Sequence, residues 1–141
     1  MPGSKRGLRL AADANVLLSA LIGGRAGAVL IAETVEEVFT TEQVIEEVRE
    51  YSALLAVKRR LNPEALLLAL ASLPVTIVPA AEYRRKLPEA RSRMGKRDPD
   101  DVELLALALH FRIAVWSNDR DFSTARIRWY TTTQLLDYLK L

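Results

Sequence analysis

Short apolar runs of β character alternate with longer helical stretches from Leu8 to Leu139. That alternation calls for an α/β fold, a sheet with helices packed on it. The spacing predicts strands at Leu8 to Ala12, Glu37 to Thr40, Val75 to Val78, Ile113 to Trp116 and Ile127 to Tyr130. Val75 to Val78 reads as a buried strand. Helices are expected over Asn15 to Leu21, Ala26 to Thr34, Thr40 to about Arg60, Pro63 to Ser72, Ala80 to Met94, Pro99 to Phe111 and Thr132 to Leu139. Gly23-Gly24 breaks the first of these. Thr40 and Gln43 stand in capping-box spacing ahead of the third. Pro88 marks a kink or break in the fifth. No repeat, linker or low-complexity tract divides the chain, and 141 residues make one ordinary domain.

Composition narrows the chemistry. There is no cysteine and a single histidine, His110. Thiolate sites and multi-histidine zinc sites are therefore excluded, and a serine triad is disfavoured. Any metal must be held mainly by oxygen, which points to Mg²⁺ or Mn²⁺. The net charge of +2 is too small to identify a nucleic-acid binder by itself. Pro74 and Pro79 interrupt the longest uncharged stretch, Ala65 to Ala81, so no membrane span is expected. The basic start, Met1 to Arg9, has no signal-peptide core. The chain reads as a cytoplasmic protein.

In an open α/β sheet, ligands sit beyond the carboxyl ends of the strands. The first strand ends in Asp13, and the strand at Ile113 to Trp116 ends in Ser117-Asn118-Asp119-Arg120-Asp121. Helix capping alone accounts for Asp13, and turn formation alone for Asp119. At about 100° per residue, Val44, Val48, Tyr51 and Leu55 define one stripe of the third helix. Glu47 falls beside that stripe and Glu46 nearly opposite. Asp98 suits a helix N-cap, Pro99 the first helical position and Asp100 the first turn. Asp101 lies on the side of Leu105 and Ala108, where capping explains it less well. Several carboxylates at one sheet edge repel, and a divalent cation is the economical way to hold them together.

These stretches resemble the PIN domain, the fold of many VapC-type toxin ribonucleases and related nucleases. The resemblance is carried by Ala12-Asp13-Ala14-Asn15-Val16-Leu17-Leu18-Ser19-Ala20-Leu21, by Thr40 to Glu50, by Asp98-Pro99-Asp100-Asp101 with Ala106 and Ala108, and by Trp116-Ser117-Asn118-Asp119-Arg120-Asp121-Phe122. The four occur in the family's order and span nearly the whole chain. The resemblance implies a three-layer α/β/α fold around a short, mostly parallel sheet. It implies Mg²⁺- or Mn²⁺-dependent hydrolysis of RNA, with Asp13, Glu47, Asp101 and Asp119 as the acidic positions. Asp121 and Asp98 are additional candidate ligands, and Asn15 and Ser117 match supporting polar positions. The toxin of a toxin–antitoxin pair, with an antitoxin protein as partner, is one implied role. RNA processing, cleavage of nucleic-acid structures, or an idle binding module are the alternatives. A phospho-acceptor receiver domain is a poor match, because Asp13 has no acidic neighbour and no lysine follows Trp129-Tyr130.

Beyond the acids, Arg84, Arg85, Lys86, Arg91, Arg93, Lys96 and Arg97 form a basic run that could steer RNA phosphates. Trp116 and Trp129 read as core or sheet-edge residues. The helix from Val102 to Phe111 is apolar almost all round. A homodimer partner on its second face is the expected cover, with another helix of the same chain as the alternative.

Overall fold

The computed structural model describes residues 7–95 and 99–141. Five strands form one all-parallel sheet: β1 (Leu8–Ala12), β2 (Val35–Thr41), β3 (Thr76–Val78), β4 (Ala114–Trp116) and β5 (Trp129–Tyr130). Their order across the sheet is β3-β2-β1-β4-β5. The helices are α1 (Ala14–Leu21), α2 (Ala26–Leu30), α3 (Glu42–Lys58), α4 (Pro63–Ala71), α5 (Ala80–Tyr83), α6 (Leu87–Met94), α7 (Pro99–Phe111) and α8 (Thr132–Tyr138). Single 3₁₀ turns at Arg84–Lys86 and Arg120–Thr124 complete the chain.

Alternation along each strand divides the core into two layers. Leu10, Ala12, Val38, Ala114 and Trp116 face α1, α2, α4, α8 and part of α3. Ala11, Phe39, Ile113 and Val115 lie on the other side, with α5, α6 and α7. Trp116 is fully buried and donates its indole N–H to Thr132 Oγ1 at 3.0 Å. Trp129 is half-buried at the sheet edge and donates to the carbonyl of Ser117 at 2.8 Å.

The second face of α7 is covered from within the same chain. Ala90 and Met94 of α6 and Tyr83 of α5 pack against it, and the Tyr83 hydroxyl donates to Glu103 at 2.7 Å. That corrects the expectation of a homodimer partner on this face. The third strand is also less buried than expected. β3 is an edge strand, so Thr76 and Ile77 are exposed and only Val78 enters the core.

Two helix boundaries move for physical reasons. Thr40 does not cap α3. Its hydroxyl donates to the Ala12 carbonyl at 2.8 Å and ties β2 to β1, while Thr41 accepts from the Val44 N–H at 3.0 Å and takes the N-cap. The 80–94 stretch breaks at the Arg84–Lys86 turn, and Pro88 then sits in the first turn of α6, where its missing N–H costs nothing. The α1 stop is as read. Gly23 takes φ +87°, and Gly24 brings its N–H to 2.6 Å from the Ser19 carbonyl, where a Cβ would crowd that oxygen at 2.9 Å.

Candidate active site

Strand order reverses its direction at β1, with β2 on one side and β4 on the other. The crevice beyond the carboxyl ends of β1 and β4 is thus the place for a ligand. Both strands end there in polar residues. Asp13 follows β1 and is the N-cap of α1, accepting from the Val16 N–H at 3.0 Å. Ser117 follows β4, is fully buried, and donates its hydroxyl to the second oxygen of Asp13. The same hydroxyl accepts from the Asp119 N–H at 2.9 Å. Asp119 in turn caps the Arg120–Thr124 turn by accepting from the Asp121 N–H at 2.9 Å. One serine thus links the two strand ends and orients two carboxylates.

A pocket of about 150 Å³ lies over this junction. Asp13, Glu47, Asp101 and Asp119 all line it, with Asn15, Tyr51 and Asp100 around them. Glu46 points away, exposed and paired with Arg49. Of the two glutamates only Glu47 lines the pocket, and the core stripe of α3 is shifted from the expected one. Val44, Ile45, Val48, Ser52 and Ala56 are buried, while Tyr51 is exposed at the pocket. Asp101, Asp119 and Asp121 each bring a carboxylate oxygen within 4.8 Å of the others. Asp121 is therefore placed with two of the four acids. Asp98 lies outside the described residues.

The donor set is entirely carboxylate oxygen, half-buried, with no histidine or cysteine at hand. Those are the ligands of a hard divalent cation, so the residues fit Mg²⁺ or Mn²⁺.

Asp13 is only 7% exposed, and burial raises its pKa above the ordinary 3.8. Hydrogen bonds from Ser117 and the Val16 and Asn15 backbone pull against that rise, and the Asp119 charge adds to it. A carboxyl raised on folding stabilises the fold when protonated. That contribution is full below pH 3.8 and is lost as pH climbs through the raised value. In EDTA, wild-type thermal stability is expected to fall over that rise, and Asp13→Asn to lack this component. Melting curves against pH for the two proteins check it.

Ser117→Ala should leave a buried carboxylate oxygen and a backbone N–H without their partner. The expected cost is about 1–3 kcal/mol of stability, read by denaturant titration.

The basic run fares unevenly. Arg84, Arg85 and Arg91 are exposed. Lys86 lies 3.9 Å from Glu89. Arg93 is a correction: its guanidinium donates to the Ala125 and Arg126 carbonyls at 3.3 and 2.6 Å and to Glu89 at 2.8 Å. It ties α6 to the loop before β5 and has little left for RNA. Lys96 and Arg97 lie outside the described residues.

A family model described as "PIN domain" matches residues 12–140. The chain belongs to the PIN domain family. PIN domains are a family of nucleases. No curated protein matches by sequence. Solved PIN-fold structures share the architecture. The Mycobacterium tuberculosis toxin VapC20, described as cleaving the sarcin-ricin loop, is 24% identical with a TM-score of 0.60, over 84% of this chain and 95% of that one. The VapBC2 complex of Rickettsia felis, bound to promoter DNA, gives 13% and 0.66, over 88% and 98%. A Pyrobaculum aerophilum protein gives 17% and 0.67, over 94% and 96%.

Proposed function

We propose that this PIN domain is a divalent-metal-dependent ribonuclease and the toxin of a toxin–antitoxin pair. The observation that carries the reading is the convergence of Asp13, Glu47, Asp101 and Asp119 on one pocket, with Asp121 beside them. Asp101, Asp119 and Asp121 would hold Mg²⁺ or Mn²⁺, with Asp13 and Glu47 completing the acidic wall. The ion's contribution is to make water a better nucleophile at neutral pH and to offset charge on the phosphodiester. The chain's own work is positional. Ser117 and the Val16 N–H fix both oxygens of Asp13. The Asp121 N–H fixes Asp119. Preset carboxylates need no reorganisation when substrate arrives. Asn15 and Tyr51 at the pocket wall are placed to meet substrate.

A protein partner suits an exposed apolar surface on α3 and α4, where Leu54, Val57, Leu67 and Leu68 are all at least half exposed. Related folds solved as complexes include a toxin–antitoxin pair from Klebsiella pneumoniae, which supports an antitoxin as the partner.

The test is incubation of labelled single-stranded RNA with purified protein in Mn²⁺, in Mg²⁺ and in EDTA. Cleavage with metal and none in EDTA is expected. RNA left intact by folded, metal-loaded protein, or cut equally well in EDTA, would overturn the reading.

A further inference from the structure

A second charged cleft, of about 390 Å³, lies at the amino ends of the strands, at the opposite pole of the sheet from the acidic pocket. Arg9, Arg112 and Arg128 line it. They come from three separate places in the chain: β1, the residue after α7, and the residue before β5. Register brings them together, because β1 pairs with β4 at Leu10 and Ala114 and β4 with β5 at Val115 and Trp129. All three arginines are exposed, and among the described residues none of them forms an ion pair. Glu36 also lines the cleft and pairs with none of them.

Arg9 is held in place without its charge being neutralised. The Arg9 guanidinium sits 5.2 Å from the centre of the Phe39 ring, which itself stacks on Phe111 at 4.6 Å. A guanidinium held by its face keeps its N–H edge available. Arg112 takes φ 57°, a left-handed conformation that glycine or asparagine adopts more easily. A cation there complements the carboxyl end of α7. That accounts for Arg112 and leaves Arg9 and Arg128 unexplained. Guanidiniums lining one cleft attract an anion, and their forked donors match phosphate oxygens.

We propose that this cleft binds backbone phosphates of RNA at a second point, remote from the cleavage pocket. The proposal rests on the reading of the chain as a ribonuclease. From Arg9 to Asp13 is four residues of strand, about 13 Å. Two nucleotides share a single bridging phosphate, which cannot sit in the acidic pocket and the cleft at once, whereas a long RNA spans both.

Arg9→Gln, Arg112→Gln and Arg128→Gln, combined and singly, keep most of each side chain while removing its charge. Binding of a labelled 20-nucleotide single-stranded RNA is measured in EDTA by fluorescence anisotropy across a range of salt. Cleavage of a dinucleotide RNA is measured in Mn²⁺. The combined variant is expected to bind the long RNA at least tenfold more weakly, with single variants intermediate. Its log K against log salt slope should be shallower by about 2, for three lost contacts to a single strand. Short-RNA cleavage should be unchanged. Equal long-RNA binding by folded wild type and variant overturns the proposal, as does wild type that fails to bind the long RNA. Parallel loss of short-RNA cleavage also overturns it, since the arginines would then act on the fold or the pocket. If wild type cleaves nothing but binding still depends on the three arginines, the cleft stands and the ribonuclease reading fails.

Discussion

Asp13→Asn should remove RNA cleavage, by on the order of 10²–10³-fold or more, while the protein remains folded. The substitution keeps the shape of the side chain and an oxygen to accept from the Val16 N–H. What it removes is one negative charge at the centre of the acidic wall. That charge is held in a buried position against its desolvation cost, as the raised pKa records. In metal-free protein the neutral asparagine should therefore be tolerated at least as well as the carboxylate. Two measurements separate function from fold. Cleavage of labelled RNA in Mn²⁺ should disappear, and the melting temperature in EDTA should hold or rise. Mn²⁺ should raise the melting temperature of wild type by mass action and raise that of the variant far less. Undiminished cleavage by the variant would remove Asp13 from the machinery.

Trp116→Ala should produce the largest loss of stability among single substitutions at the site's foundation, about 3–5 kcal/mol. The indole is completely buried between β4 and α8, among Leu10, Leu17 and Leu135. Truncation leaves a cavity there, and the Thr132 hydroxyl loses the indole N–H at the start of α8. Domains of this kind are stable by only about 5–15 kcal/mol, so the change takes a large share. The melting temperature should fall by on the order of 10 °C. The site should suffer with the fold. The Trp116 carbonyl accepts from the Asp13 N–H at 3.2 Å, and the next residue is Ser117. A melting temperature within a degree or two of wild type would contradict this account of the core.

The parts of this protein visible in the sequence are those that local chemistry determines. Strands of alternating or continuous apolar character ended in aspartate, and a parallel sheet places such ends along one edge. That brings Asp13 and Asp119 to one edge; Glu47 comes from its place on a helix face, and the set of four with Asp101 from the resemblance. The parts that stayed hidden depend on distant contacts. Thr40 and Thr41 are equally good caps by type, and only the bond from Thr40 to Ala12 decides between them. Arg93 looks like its neighbours in the basic run, yet two carbonyls more than thirty residues away occupy it. The buried stripe of α3 includes Ser52 and Ala56 and omits Tyr51. The helix packs on α1 and α4 where small residues allow approach, and its tyrosine is left at the pocket. Asp121 stands outside the four positions that the resemblance implies, and the 3₁₀ turn after Asp119 carries it to Asp101 and Asp119.

The bond between Ser117 and Asp13 joins residues 104 positions apart. A ribosome must therefore have released four-fifths of the chain before the pocket can exist. Until β4 slots in beside β1, Asp13 has neither its serine nor its neighbour Asp119, and the nascent chain carries acids but no site. On the proposed reading as a ribonuclease, this order of events is a safeguard built into topology. On that reading the emerging polypeptide is inert, and the pocket forms only after β4 has folded back beside β1.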